Sequence, residues 1–482
     1  MSGNHGYVMG IDCGTQSAKV VIYNEVGTVI GQGRQPLRPM SRPHHGVVVH
    51  PDDDLWTSIG AASREAIRDF ENTGRAASQI AAVGICPIRC CKAFLDSRGE
   101  LIEPLMSWMD DRAYQPYIPT DSRLAFVTTA SGYIAHRFTG AAKDTAANNI
   151  AMQWPIDGDT WQWSTDPEVM ASFKLTPNQL FALQMPGETI GVVTAAAANE
   201  TGIPMGTSVV ATANDKAVEM LGAGSVADNA ALVSLGTYIA AMIPGSKYHR
   251  EPANFWTNFS SIPNRYLYES NGVRRGMWTL TWLLDLLGPE YGERAASEGV
   301  SREEYLEREA SKVPGGSDGL MTVLDWLAPT DKPFRKGAML GFDARHSRGH
   351  IYRSILEAIA LTMKSHVDSM CAELRTELSE LVISGGGSTS PLFMQIFADV
   401  FQIPSARSNH GGASLGAAMC AAAAVGMHST IEAAAAAMAS PRETFLPDPA
   451  NGAIYQQMLE TVYLDIRTST DPIFERSFPL FR

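Results

Sequence analysis

The chain has 482 residues, long enough for two domains, and its 45% apolar, 18% charged composition is globular, which excludes the disordered and fibrous classes. A formal net charge of -13 argues against a nucleic-acid partner but leaves room for phosphate, which backbone N–H groups and a metal can hold. Six cysteines without zinc spacing or a disulfide framework, an N-terminus "MSGNHGYVMG" unlike a signal peptide, and an Ala-rich stretch "LGAAMCAAAAVGM" too short to span a bilayer predict a cytoplasmic protein with no membrane partner.

The elements follow in chain order. Three strands are predicted at "YVMGIDC", "AKVVIYN" and "TVIGQGR", separated by turns at residues 14–17 and 24–27. The segment "HPDDDLWTSIGAASREAIRDF" predicts a helix whose acidic start suits the positive end of its dipole. Strands are expected at "IAAVGIC" and "CKAFLDSRGELI", and residues 122–140 and 176–201 are expected to be largely helical. A strand "TSVVATAND" then leads into a helix "KAVEMLGAG". Next comes "ALVSLGTYIAAMI", whose Gly236-Thr237 aligns with Gly14-Thr15, so that Ser234 falls where Asp12 stood. Both halves thus open with one strand-turn-strand device, an internal repeat that places a boundary near residue 225. Further on, "ELVISGGGSTSPLFMQIFADVFQIP" reads strand, glycine turn, helix, and "GGASLGAAMCAAAAVG" is a small-residue helix suited to close packing. Trp278, Trp282, Leu283 and Leu284 have helical spacing and are expected in the core.

Asp12 is the anomaly in the first strand, because a carboxylate among apolar residues is costly without a partner. The turn after it supplies one. The N–H groups of Thr15, Gln16 and Ser17 beyond Gly14 can form a nest for phosphate oxygens, and Asp12 can hold Mg²⁺ through water. A plain hairpin with a capped Asp is the alternative for this motif alone. The second turn, at Gly236 and Thr237, lets two domains grip one polyphosphate with a carboxylate on one side only. The turn of Gly385, Gly386, Gly387 and Ser388 lacks side chains where an adenine or ribose could lie against the backbone. His44, His45 and His50 in "RPHHGVVVH" lack the spacing of a recognisable metal site.

Taken together, these segments resemble the FGGY carbohydrate kinases, the family of glycerol kinase, xylulokinase and ribulokinase, over nearly the whole chain. "GIDCGTQSAKVVIYNEVG" is similar to the family's first phosphate loop, "LVSLGTYIAAM" to its second, and "VISGGGSTSPLFMQIFADVFQIP" to its adenosine segment. "ATANDKAVEMLGAG" resembles the segment with the catalytic aspartate, and "GAMLGFDARHSRGHIYRSILEAIALTMK" the C-terminal signature. The resemblance implies an α/β fold of two actin-like (ribonuclease-H-like) domains, residues 1–224 and 225–482, with a nucleotide cleft between them. It implies ATP and Mg²⁺ as cofactors, a small sugar or polyol as substrate, and Asp215 as the general base. Asp215 as a mere cap of the helix that follows it is the alternative.

On the substrate side the resemblance points to Arg89, which matches an arginine that takes substrate hydroxyls in glycerol kinase, although Cys90 stands where that enzyme has a glutamate. Trp108 could wall the C–H faces of a sugar, and Asp110 or Asp111 could accept its hydroxyls; a core Trp beside surface charges is the plain alternative. The Met-His pair of a xylulokinase is absent, Ile88-Arg89 occupying that neighbourhood, so a glycerol- or tetritol-type polyol kinase stands beside a ketose kinase. Relatives insert a few dozen residues after the "WxDxRA" segment, where "YQPYIPTDS" nearly closes the gap here. The sugar pocket is therefore expected to be open on one side or completed by another copy in a homo-oligomer. That shortening also admits a rival of another class, a catalytically weak nucleotide-gated sensor or assembly protein.

Overall fold

The computed structural model describes residues 6–116, 118, 121–236, 238–329, 331–408, 412–440 and 442–481. Two sheets organise it. The first takes strands β1 (Tyr7–Cys13), β2 (Ser17–Asn24), β3 (Val29–Pro36), β4 (Ile80–Pro87), β5 (Thr189–Val192) and β6 (Ser208–Val210) in the order β5-β6-β4-β1-β2-β3. The second takes β7 (Ala230–Leu235), β8 (Ile239–Gly245), β9 (Phe255–Phe259), β10 (Tyr266–Ser270), β11 (Glu380–Ser384), β12 (Ser405–Ser408) and β13 (Arg442–Phe445) in the order β9-β10-β8-β7-β11-β12-β13.

The duplication expected from the two Gly-Thr turns extends to strand direction. In each sheet the central strand, β1 or β7, pairs antiparallel with the strand that follows it and parallel with a later one, β4 or β11. Each sheet adds a second parallel strand, β6 or β12, and ends on an antiparallel one, β5 or β13. Asp12 lies opposite Lys19 and Cys86; Ser234, its counterpart, lies opposite Ala240 and Ser384.

Along β1 side chains alternate between faces. Met9, Ile11 and Cys13 pack on one side with helix α1 (Asp54–Asn72) and helix α2 (Ala130–Thr139). Val8 belongs to the cluster on the other side, which contains Leu221 of helix α3 (Asp215–Gly222) and Leu415, Ala418 and Met419 of helix α4 (Ala413–Ala424). Gly10 and Asp12 share that second side by the same alternation. The small-residue helix α4 lies between β12 and β13 of the second sheet in sequence yet packs on the first sheet. A methyl group on Gly10 would meet the Ser414 carbonyl oxygen at 1.8 Å, one on Gly84 that of Ala417 at 2.0 Å, and one on Gly416 that of Val218 at 1.9 Å. Backbone therefore lies on backbone where the halves meet.

Some expectations are corrected. Residues 176–201 form two short strands, Ala182–Gln184 and β5, before a helix Ala195–Thr201, because Gly187 at φ +84° turns the chain and β-branched residues follow it. Within residues 122–140 the run Phe126–Thr129 is a strand paired with Lys92–Leu95, and only Ala130–Thr139 is helical. Trp278 is 46% exposed rather than core, whereas Leu283 and Leu284 are buried and Trp282 packs edge-on against Trp326. All six cysteines are free thiols. Among the described residues, no helix is long and apolar enough to cross a membrane.

The α4 contact makes a stability prediction. Gly416→Ala forces two backbones apart and lowers stability by about 1–3 kcal/mol, the usual cost of overpacking. Glu432→Gln, at an exposed position, stays within about 0.5 kcal/mol. Urea unfolding midpoints of the two variants check this, and equal midpoints would show that the contact yields at no cost.

Candidate active site

The carboxyl ends of β1 and β7 carry the two Gly-Thr turns. Gly14 donates its N–H to the Ser17 carbonyl at 3.1 Å, closing the first turn, and nothing lies within 4 Å of where a Gly14 side chain would start. Gly386 also faces open space, and Gly236 meets only the Tyr238 carbonyl oxygen at 3.8 Å. Bare backbone thus borders open space at Gly14 and Gly386 and ordinary contact at Gly236. Gly385 has φ +83°, and Gly387 packs its bare face on Leu235 and Met277, so these two shape the third turn. Ser388 donates its hydroxyl to the Gly385 carbonyl at 2.8 Å, bracing that turn from within. Thr15 accepts a hydrogen bond from Trp108 Nε1 at 3.3 Å, Gln16 is exposed, and Ser17 Oγ accepts from Arg34 Nε at 3.2 Å. Thr237 lies outside the described residues.

Asp215 stands at the start of α3. The cap of that helix is Asn214, whose side-chain oxygen accepts from the N–H groups of Lys216 and Ala217, both at 3.1 Å. Asp215 Oδ1 shares the Lys216 N–H with that cap, at 3.0 Å, and its carboxylate is one third exposed. Its Oδ1 is 3.4 Å from Arg89 Nε.

Arg89 follows β4 and reaches across to the second sheet. Its two terminal nitrogens donate to Glu269 at 2.7 and 2.8 Å, a two-pronged pair, and its guanidinium lies 4.8 Å from the centre of the Trp256 ring. Glu269 is fully buried on β10 and accepts a third bond, from Asn258 Nδ2 of β9 at 3.0 Å. Burial works against the Arg89 charge, but Glu269 and then Asp215 more than restore it and hold the guanidinium well above its usual range.

Asp12 is less favourably placed as an anion. Loss of water and, next, the Asp215 charge raise its pKa to about 7, against partial relief from Lys19 and Lys216. A further cation beside it would remove this penalty, and a carboxylate there fits magnesium, which takes one or two carboxylates and keeps water and phosphate for its other positions. Among the described residues there is no group of three or more His, Cys, Asp or Glu that could cage a metal, so any ion here would depend on a phosphate ligand.

The structure does not bring every expected residue to this place. The Asp110 oxygens are taken by the Val48 N–H at 2.8 Å and by Arg112, whose N–H and guanidinium bind at 2.8–2.9 Å. Asp110 caps a short 3₁₀ turn, Asp111–Tyr114, and Asp111 is exposed beside Gly46. Of the four substrate candidates, Arg89 reaches Asp215 directly, and Trp108 borders the first turn. His50 is buried with both ring nitrogens unpaired, and burial lowers its pKa to about 4: a core histidine rather than a ligand. Sequence reasoning missed Trp256, Asn258 and Glu269. The signal was available, since Glu269 sits in the apolar strand "YLYES" much as Asp12 sits in "MGIDC".

The FGGY family of carbohydrate kinases, N-terminal domain, matches residues 7–118, and its C-terminal domain matches residues 231–425. The chain is 43% identical over 473 residues, 98% of its length and 95% of the relative's, to the uncharacterized sugar kinase YgcE of Escherichia coli. It is 24% identical to a xylulose kinase of Staphylococcus epidermidis, covering 96% of this chain and 97% of that one. The crystal structure of xylulose kinase from Rhodospirillum rubrum superposes with a TM-score of 0.83 at 23% identity, over 97% of this chain and 100% of that one, and shares its two-domain actin-like α/β fold. The chain belongs to the FGGY family of carbohydrate kinases and is an ATP-dependent carbohydrate kinase.

Proposed function

We propose that this kinase phosphorylates a hydroxyl of an uncharged ketose or polyol, with Asp215 as general base and Mg-ATP held between the turns at residues 14–17, 236–237 and 385–388. The observation that carries the reading is the position of Asp215. It is one third exposed beside the Asn214 cap, faces Arg89 at 3.4 Å, and is close enough to Asp12 to raise that residue's pKa. The acceptor hydroxyl gives its proton to the Asp215 carboxylate as its oxygen bonds to the γ-phosphorus; the bridging bond to the β-phosphate breaks and ADP leaves with that electron pair. Magnesium, held from Asp12, would offset phosphate charge during the transfer. Arg89 has its charge balanced by Glu269 and Asp215, which favours a neutral acceptor over a sugar acid. Relatives named xylulose kinase support a ketose, and Arg89 supports the second reading, a small polyol such as glycerol or a tetritol. The same reading divides the domains at residues 224 and 225, between α3 and β7. The decisive screen is ADP release from Mg-ATP with a panel of ketoses, aldoses and polyols; release with no member of the panel above the sugar-free rate overturns the substrate assignment.

Three outcomes are expected. Asp215→Asn lowers turnover roughly 100-fold or more with ADP affinity nearly unchanged. Asn214→Ala costs about 1 kcal/mol of stability, as loss of a cap does. Turnover kinetics and unfolding curves of both variants check the division, and wild-type turnover in Asp215→Asn would end the base assignment.

Asp12→Asn raises the magnesium requirement, while Ser234→Ala leaves it unchanged, as read from initial rates against magnesium concentration. The ligand-free protein adds a pH signature. With its pKa raised from 3.8 to about 7, folded Asp12 keeps a proton that the unfolded chain releases. Stability therefore falls as pH rises through that window and the loss is complete above it. Asp12→Asn is then the more stable protein at pH 8 by roughly 1–2 kcal/mol, less than the full shift implies because the group is partly wet, and the gain vanishes near pH 4. A difference that does not change with pH would refute the raised pKa.

The shortened stretch after Arg112 gives the third. Tyr114 is 50% exposed on the short 3₁₀ turn there, and the match to the N-terminal family domain ends at residue 118. Sugar-free ATP hydrolysis is expected unless a second copy covers the site, because water must be kept from the γ-phosphate. Light scattering with a sugar-free ATPase assay tests this: a monomer with high kinase activity and negligible hydrolysis would show a closed pocket.

A further inference from the structure

Helix α3 carries Asp215 in its first turn and Glu219 four residues on, so both side chains lie on one face of the helix. Glu219 is 15% exposed, and its carboxylate gathers groups from two other elements. Ser234 Oγ lies 2.9 and 3.0 Å from its two oxygens, Ser384 Oγ donates to Oε1 at 2.6 Å, and Lys216 Nζ approaches Oε2 at 3.0 Å. The Lys216 ammonium also donates to Ser234 Oγ at 2.6 Å.

The two serines are opposite each other on neighbouring parallel strands, β7 and β11. Ser234 comes two residues before Gly236, and Ser384 immediately precedes Gly385. One carboxylate on the helix of Asp215 thus holds the roots of both glycine turns of the second half. The corresponding positions of the first sheet, Asp12 and Cys86, are a carboxylate and a thiol, so this hydroxyl pair has no counterpart there. Apolar side chains could join the same surfaces without burying charge. A carboxylate that accepts bonds from three directions adds fixed orientation.

We propose that Glu219 is a positioning residue for phosphoryl transfer: through Ser234, Ser384 and Lys216 it sets the helix bearing Asp215 in register with the turns at Gly236 and Gly385, so that seating the nucleotide fixes where the base stands. This rests on the reading of Asp215 as base and of those turns as the nucleotide site. Lys216 adds its charge to the same place, since it and Asp12 and Asp215 act on one another.

The test compares Glu219→Gln, Glu219→Asp and Ser384→Ala with wild type by kcat, KM for ATP, KM for the sugar, ADP binding at equilibrium and unfolding midpoint. Glu219→Gln is expected to lower kcat about 10-fold and raise KM for ATP several-fold, with KM for the sugar within about 2-fold and the midpoint near wild type. Glu219→Asp should recover part of kcat, and Ser384→Ala should raise KM for ATP with a smaller loss of kcat. If Glu219→Gln does not fold, Ser384→Ala carries the test alone. A shift confined to the unfolding midpoint, or kcat and KM for ATP within about 2-fold of wild type in the folded variants, overturns the proposal. Asp215→Asn keeps the two failures apart. If it retains turnover, the base reading fails. If it abolishes turnover while the Glu219 and Ser384 variants behave as wild type, only this inference fails.

Discussion

The contact on which the rest depends is backbone on backbone, between helix α4 and the first sheet. Gly10, Gly84 and Gly416 leave no room for a methyl group there, so the carbonyl oxygens of Ser414, Ala417 and Val218 approach as near as atoms allow. Well-packed interiors deform little, and such a contact transmits position without slack. Asp12 lies two residues beyond Gly10 on the same side of β1, and Val218 sits on the helix that Asp215 begins. A helix that lies in sequence between two strands of the second sheet therefore determines where two carboxylates of the first half stand.

Charges complete what packing begins. Burying a carboxylate with no partner costs several kcal/mol, so each acid in this region needs a reason to remain. Glu269 has its reason in Arg89 and Asn258, Glu219 in Lys216 and two serines. Asp12 has a weaker protein-borne answer, and burial and the Asp215 charge push its pKa up to about 7. Among the three acids, Asp12 is the one whose charge the protein balances least.

Much of the fold was legible because both signals for it are local. The apolar alternation of residues 7–34 and the turn at Gly14 are enough to recognise the first sheet's meander, and the repeat of Gly-Thr at residue 236 reveals the second. Residues 176–201 misled because Ala, Leu and Gln carry helix propensity while tertiary pairing makes two of their segments strands. In the site, Asp12 could be recognised by its contrast with an apolar strand. Glu269 offers the same contrast, but its meaning lies in Arg89, 180 residues away in sequence, and no local pattern announces a partner at that distance. Asp110 illustrates the converse. It lies in a segment similar to the family's substrate region, yet Arg112 two residues later occupies both its oxygens, a local pairing that sequence spacing alone does not distinguish from an exposed acid.

The halves repeat one topology and differ in charge, and this difference is what a phosphate-transferring cleft needs. Two carboxylates at the mirrored positions would repel the polyphosphate from both sides. Ser234 stands at the mirrored position instead, and its hydroxyl accepts from the Lys216 ammonium of α3 at 2.6 Å. On the proposed reading Asp12 on the first side would hold the metal, and the second side would meet phosphate oxygens with backbone N–H groups. A duplicated fold thus supplies two like strand ends, and the exchange of one carboxylate for a hydroxyl between them makes the pair unequal in charge.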